Sequence, residues 1–522
     1  MRRRAAPETR RRFSQGRVDA APPERFPQRR PNLALLMVRL TAAFLAAALA
    51  ASAADDLDSE IKSFIAVYAS VERNAADPVT SEQAFYQGAI PGLLRVLDPH
   101  SVFFDPGQFD QLKKMEASTQ KGFGSVVSVL PGRVIVLQTL PGTPSAKAGL
   151  SPGDDIVAVN GYVIAQLDLD QITELLGESR QRPARLEVRR PGTARILDFT
   201  LIPAEMQSPS VERAFLLGAG VGYIRVSSFD EHTVEDLKEA IEKLGGDRLT
   251  GLVLDFRNNP GGMVEAALET ASLFLQPGQT IFTVRGRHVP EKAETVPASA
   301  KPYGFKLAIL INGKTASASE IVTGALQDHD RATVLGEPSF GKGLVQTVYP
   351  LSEGAGLALT TALYYTPSGR SIQHPLDAAQ FELAATTSQA RQKKQFQTDA
   401  GRVVTGGGGI QPDIAVEPLA MNRLRAVLEA SGSFTTFATE YLREHKVTED
   451  FQVTPALMDQ FQVFLAAHNI EPSVTEWSQE EAFVANRLKT EIFNQAFGVE
   501  KGDEVEAQLD PVIQRARAVV GS

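Results

Sequence analysis

The chain has 522 residues, 43% of them apolar and 22% charged. That is a soluble globular composition, too long for one hydrophobic core, so roughly two to four domains are expected. It contains no cysteine, which excludes disulfides, thiol nucleophiles and cysteine-ligated metals. The net charge is −9, yet residues 1–53 carry eleven Arg against Glu8, Asp19 and Glu24, so the remainder stands at −17. A body that acidic is a poor partner for nucleic acid or anionic lipid, whose phosphates need clustered Lys and Arg.

The basic head reads as a processing segment. Arg39 precedes an apolar run from Leu40 to Ala50, followed by Ala51-Ser52-Ala53, the order of a secretory signal with a small-residue cleavage site. Cleavage after Ala53 is expected, and either Met1 or Met37 serves as the start. An exported protein of the periplasm or cell envelope follows, membrane-associated only if the segment stays uncleaved.

Residues 54–118 read as a small helical domain, with Ile61, Phe64, Ile65 and Tyr68 at helical spacing. A second helix through Phe85, Ile90, Leu93 and Leu94 stops at Leu97-Asp98-Pro99-His100-Ser101, because Pro99 disfavours helix at Asp98. Over 119–205 short strands dominate: 125–130, 133–138, 156–159, 185–190 and 196–202, with one helix at 169–176. From 206 to 417 strands and helices alternate, the pattern of an α/β core. Within it, residues 373–409 are polar and Gln-rich and end in four glycines, a mobile insertion by composition. Residues 418–522 are helical by pattern and carry no assignable motif. They either mediate homo-oligomer formation or pack on the core.

Three stretches carry chemistry. The first is Gly122-Phe123-Gly124, followed by Pro141-Gly142-Thr143-Pro144 and Gly153-Asp154-Asp155-Ile156 through Asn160-Gly161. It resembles bacterial PDZ domains, which capture peptide tails by adding them to a sheet edge. The resemblance implies that Gly122, Phe123 and Gly124 offer backbone N–H groups to a terminal carboxylate, as an anion nest does. The plainer reading of such glycines is a set of turns, and it is kept for Asn160-Gly161.

The second is Asn312-Gly313-Lys314-Thr315-Ala316-Ser317-Ala318-Ser319-Glu320, where a buried strand gives way to a helix. A hydroxyl there sits by a helix N-terminus, which favours a developing oxyanion. On local sequence alone Ser317 and Glu320 also spell a capping box. The third is Gly336-Glu337-Pro338-Ser339-Phe340-Gly341-Lys342-Gly343. Lys342, Leu344 and Gln346 have the spacing of one strand face. The same stretch spells most of a phosphate-binding loop, but Gly343 stands where Ser or Thr would hold magnesium, and a strand follows instead of a helix.

Together with Asp98-Pro99-His100-Ser101, Asp255-Phe256-Arg257-Asn258-Asn259-Pro260-Gly261-Gly262, Thr366-Pro367-Ser368-Gly369 and Gly409-Ile410-Gln411-Pro412-Asp413-Ile414, these stretches resemble the carboxyl-terminal processing (tail-specific) proteases. The resemblance runs from about residue 55 to 416. It implies an α+β multidomain protein with a crotonase/Clp-protease-like α/β peptidase core, a PDZ domain and no cofactor or metal. It also implies that Ser317 is the nucleophile, Lys342 the general base, Gln346 its positioning partner, and Gly262 and Ala318 the oxyanion donors. Protein or peptide substrates with accessible C-termini are the implied partners. None of the seven histidines has a spacing that marks it as a rival base. A catalytically silent PDZ binding protein on the same fold is the alternative.

Overall fold

The computed structural model describes residues 57–521 except 117, 118, 181, 192, 194, 208, 219 and 375–393. The leader over 1–53, with its cleavage site, lies outside the described residues. No described helix is long and apolar enough to cross a membrane.

The chain divides into two compact units, Met1–Gln87 and Gly88–Ser522. In the first, helix α1 (57–74) sets Phe64 and Tyr68 against Phe85 at ring-centroid distances of 5.8 and 5.2 Å. The expected helical domain over 54–118 does not end as one piece. Helix α2 (Ile90–Leu97) and strand β1 (Val102–Phe104) belong to the second unit. There Asp98 accepts the His100 and Ser101 N–H groups at 2.7 and 2.8 Å, and β1 pairs antiparallel with a strand at 356–358.

The PDZ strands are β2 (Ser125–Leu130), β3 (Arg133–Thr139), β4 (Asp155–Val159), β5 (Ala184–Arg189) and β6 (Ile196–Leu201), hydrogen-bonded in that order. Helix α3 (Leu169–Ser179) starts on a capping box in which Asp168 and Gln171 exchange bonds of 2.9 and 3.0 Å. Ile172 and Leu175 on its inner face meet Val134, Val136, Ile156 and Val188 in one apolar core. Among the described residues strand β2 lies at the edge of the sheet, paired with β3 alone, which leaves the edge that added-strand binding uses.

The α/β core is built on a second sheet. In chain order its elements are β7 (Val211–Gly218), β8 (Val221–Val226), α4 (Thr233–Leu244), β9 (Gly251–Asp255) and α5 (Val264–Ser272). After β10 (Thr280–Arg285), a strand of another sheet, come β11 (Lys306–Ile311), α6 (Ala318–Asp328) and β12 (Ala332–Gly336). The central strands run parallel, and Leu252, Val253 and Leu254 are all fully buried. That is why 252–254 reads as an unbroken apolar run instead of an alternating one. Strands β13 (Leu344–Pro350) and β14 (Gly356–Tyr365) form a third sheet with β1 and β10.

Part of the expected mobile insertion is ordered. Strands β15 (Gln395–Gln397) and β16 (Val403–Thr405) pair antiparallel, and Arg402 between them bonds Asp330 and Asp413. Strand β17 (Ile414–Ala415) then closes the parallel sheet beside β12.

The C-terminal residues do two things. Helices α7 (Arg423–Ala430), α8 (Ser433–Glu444), α9 (Pro455–Ala467) and α10 (Val474–Phe497) share an apolar core around Phe434, Phe461 and Leu488. Helix α11 (Val499–Glu506) adds Val505 to that same core, while helix α12 (Pro511–Gly521) packs on the parallel sheet. Val512, Ile513, Ala516 and Val520 of α12 cover Val253, Ala308 and Leu310 on the sheet face opposite α6. The last helix is thus a layer of the core. Its apolar stripe at i, i+1, i+4 and i+8 is explained by that burial.

Candidate active site

Strand β11 ends at Ile311, and a six-residue turn delivers Ser317 to the N-terminus of α6. Ser317 is half-buried, with φ 57° and ψ −118°. A non-glycine residue held there costs about 1–3 kcal/mol unless its surroundings over-determine it. They do. Thr315 donates its hydroxyl to the Phe256 carbonyl at 2.8 Å, the Ala316 N–H reaches the Asn259 carbonyl at 3.0 Å, and the Ser317 N–H reaches Glu320 Oε2 at 2.9 Å.

Glu320 is more than a helix cap. It is fully buried, and its Oε1 accepts the Ser339 hydroxyl at 2.5 Å and the Gly341 N–H at 2.8 Å. Its Oε2 accepts the Lys342 N–H at 2.8 Å as well as that of Ser317. One carboxylate therefore ties the backbone of the serine turn to the backbone of the lysine turn. Burial pushes its pKa up, while the four donors pull it back. Tyr364 makes a parallel tie, its hydroxyl lying 3.1 Å from the Ser317 carbonyl and 2.6 Å from that of Lys342. The same geometry removes the phosphate-binding reading of 336–342. The N–H groups of Gly341 and Lys342 are already filled by Glu320, and strand β13 follows.

Lys342 is half-buried, and burial lowers its pKa from the ordinary lysine value, with partial opposition from the nearby Glu320 charge. Among the described residues its Nζ and the Ser317 hydroxyl make no hydrogen bond to each other. The two loops are locked together while the Ser317 and Lys342 side-chain tips stay unjoined. Gln346 lies on β13. Its amide donates to the His100 carbonyl at 2.7 Å. Opposite it the ladder shifts register, with Thr361 of β14 as the extra residue between the partners of Val345 and Gln346. His100, like the other histidines unmarked by spacing as a rival base, is half-buried. Its pKa is lowered by burial and by the charge of Lys342. The only sequence signal for it was the Asp98-Pro99-His100-Ser101 motif.

The loop after β9 faces Ser317. A Cβ on Gly261 would lie 2.8 Å from the Ser317 Cβ and 2.9 Å from the Ala318 nitrogen. Phe229 donates to the Gly261 carbonyl at 3.0 Å and accepts from Met263 at 2.8 Å. That bridge leaves the intervening Gly262 N–H outside the ladder. Only glycine fits at 262, where φ is +145° and a Cβ would meet the Phe229 carbonyl oxygen at 2.0 Å. The N–H groups of Gly262 and Ala318 have no hydrogen-bond acceptor among the described residues. Two free donors beside a hydroxyl at a helix N-terminus suit a developing oxyanion.

In the PDZ domain, Gly122 ends a strand over Thr119–Gly122 that pairs with Ala204–Gln207. The carbonyls of Phe123 and Gly124 accept the Ser145 and Leu140 N–H groups, each at 2.8 Å. Gly124 has φ +74°, and a Cβ there would come 2.3 Å from the Thr143 side chain. The loop is thus fastened through its carbonyls, immediately before the open edge strand β2.

Comparison with known proteins gives the same domain order. Residues 135–190 match the PDZ domain family model, and residues 220–379 match that of peptidase family S41. The carboxy-terminal-processing protease of Bartonella bacilliformis is 38% identical over 306 residues, 56% of this chain and 68% of the relative. The carboxy-terminal processing protease CtpB of Bacillus subtilis is 32% identical over 323 residues, 61% of this chain and 67% of the relative. The carboxyl-terminal-processing protease of Synechocystis sp. is 34% identical over 310 residues, 58% of this chain and 71% of the relative. With a PDZ domain ahead of a serine peptidase core, the chain belongs to the carboxy-terminal-processing protease family.

Proposed function

We propose that the chain is an exported endopeptidase that grips protein C-terminal tails in its PDZ domain and cuts near the carboxyl terminus through a Ser317–Lys342 acyl-enzyme. The observation that carries this reading is the double tie, by Glu320 and Tyr364, between the backbones of Ser317 and Lys342. Two turns 25 positions apart in sequence are held as one unit. Nothing about packing alone asks for that.

In this mechanism the neutral Lys342 amine takes the Ser317 proton as Oγ attacks the scissile carbonyl carbon. The N–H groups of Gly262 and Ala318 hold the oxyanion, a contribution of about 3 kcal/mol per donor. Collapse breaks the C–N bond, and the leaving amine receives the proton from Lys342. Water, deprotonated by the same amine, then releases the acyl group. Because the tips are unjoined in this structure, closure of Lys342 onto Ser317 accompanies substrate binding. Gln346 is released from His100 to orient the amine. The parallel order β8-β9-β11-β12 supports a crotonase/Clp-protease-like core. The leader supports export to the periplasm or envelope.

Tail capture predicts a dependence on the substrate's terminal carboxylate. A long peptide with a free C-terminus should be cut with a KM at least about ten-fold below that of its C-terminally amidated twin, since a charge-assisted hydrogen bond supplies about 1.5–3 kcal/mol. Equal KM values for the two would remove Gly122, Phe123 and Gly124 as the carboxylate site. The amidated substrate is a cleaner probe than Gly124→Glu, which would strain the loop at φ +74° whatever its charge does.

A further inference from the structure

The loop that presents Gly262 is held from a region that neither family match reaches. Asp510 lies between α11 and α12, in the C-terminal residues. Its Oδ1 accepts the Val512 and Ile513 N–H groups at 2.8 and 3.1 Å and so caps α12. Its Oδ2 accepts Arg257 Nη1 at 2.7 Å.

Arg257 gives its other donors to Asp255, with Nε at 2.9 and 3.0 Å from the two carboxylate oxygens and Nη2 at 2.5 Å from one of them. Asp255 is buried and also accepts the Tyr223 hydroxyl at 2.7 Å. The guanidinium is therefore clamped between the end of β9 and the start of α12, a bidentate and directional arrangement that only Arg can make.

Arg257 opens the loop 257–262. The next residue, Asn258, takes φ 62° and donates its N–H to Asn312 Oδ1 at 2.9 Å, while Asn312 Nδ2 returns a bond of 3.0 Å to Asn258 Oδ1. Asn259 then receives the Ala316 N–H, and Gly261 abuts Ser317. The direction in which Arg257 leaves the sheet sets the direction of every later step.

We propose that Asp510 is a positioning residue of the peptidase: by clamping Arg257 it fixes the course of loop 257–262 and thereby the Gly262 N–H against Ser317. The proposal rests on the reading of Gly262 as an oxyanion donor. Loss of Asp510 leaves Arg257 paired with Asp255, so the expected consequence is a redirected loop and not an orphaned buried charge. Displacing an oxyanion donor lowers kcat and spares ground-state binding.

Asp510→Asn separates this role from capping. The amide oxygen can still accept the Val512 and Ile513 N–H groups, but its NH2 cannot accept from Arg257. In the full chain, Asp510→Asn should keep the wild-type melting temperature and KM. It should lower kcat about ten-fold, matching a loss of about 1.4 kcal/mol of transition-state stabilisation. Labelling of Ser317 by a fluorophosphonate probe should slow in parallel, and Asp510→Glu should recover part of both. Wild-type kcat in Asp510→Asn, with only the melting temperature of Asp510→Ala reduced, would make Asp510 a helix cap and nothing else. A kcat loss that tracks an equal fall in melting temperature in both variants would overturn the proposal too. Cleavage persisting in Ser317→Ala would instead overturn the underlying active-site reading, and the proposal with it.

Discussion

Lys342→Met is expected to lower kcat about 10²- to 10⁴-fold, the span of a lost general base, with KM little changed. The structure gives Lys342 little else to do. Its Nζ holds no hydrogen bond or ion pair among the described residues, and burial disfavours its charged form. An unbranched apolar side chain fills the same space without the desolvation cost, so thermal stability should hold or rise. Lys342→Arg should be equally inactive, because a guanidinium stays protonated throughout the accessible pH range. Ser317→Ala should fall to the same level, and the double variant should fall no further, since the two groups act as one unit. Substantial cleavage by Lys342→Met would move the general base elsewhere, with His100 first in line.

The second large effect falls on Glu320. Glu320→Ala strands four buried donors, the N–H groups of Ser317, Gly341 and Lys342 and the Ser339 hydroxyl. Each unsatisfied group costs about 1–3 kcal/mol, so a clear loss of stability is expected by urea titration. Glu320→Gln is the sharper test. Its oxygen can still accept from one pair of donors, but its NH2 turns a donor toward the other pair. Misplacement of the serine turn against the lysine turn by about 1 Å should lower kcat about 100-fold in the folded variant. A folded Glu320→Gln enzyme with wild-type kcat would reduce Glu320 to the helix cap its spacing first suggests.

That spacing illustrates what the sequence could and could not disclose. Ser317 and Glu320 are three apart, which marks a capping box, and the structure keeps the half in which Glu320 accepts the Ser317 N–H. The other half of Glu320's work depends on the return of residues 339–342 from twenty positions downstream, and no local pattern encodes that return. The core strands were legible because β9 and β11 are buried on both faces and so read as apolar runs. The bond from Gln346 to the His100 carbonyl joins positions 246 apart, which no strand alternation encodes. The hairpin of β15 and β16 was hidden by its polarity, since Arg402 fastens it through ion pairs instead of apolar burial. The pattern marked 418–522 as helical but did not disclose the sheet face that α12 covers.

The central claim is that an uncharged lysine amine activates Ser317, and the pH dependence of Ser317 labelling by a fluorophosphonate tests it most directly. Burial depresses the Lys342 pKa, so the reactive neutral amine accumulates as pH rises. The labelling rate should climb along a single limb whose midpoint lies below the ordinary lysine value of about 10.4. That limb should vanish in Lys342→Met and survive in His100→Gln. A limb governed by His100, or an unchanged profile in Lys342→Met, would contradict the account.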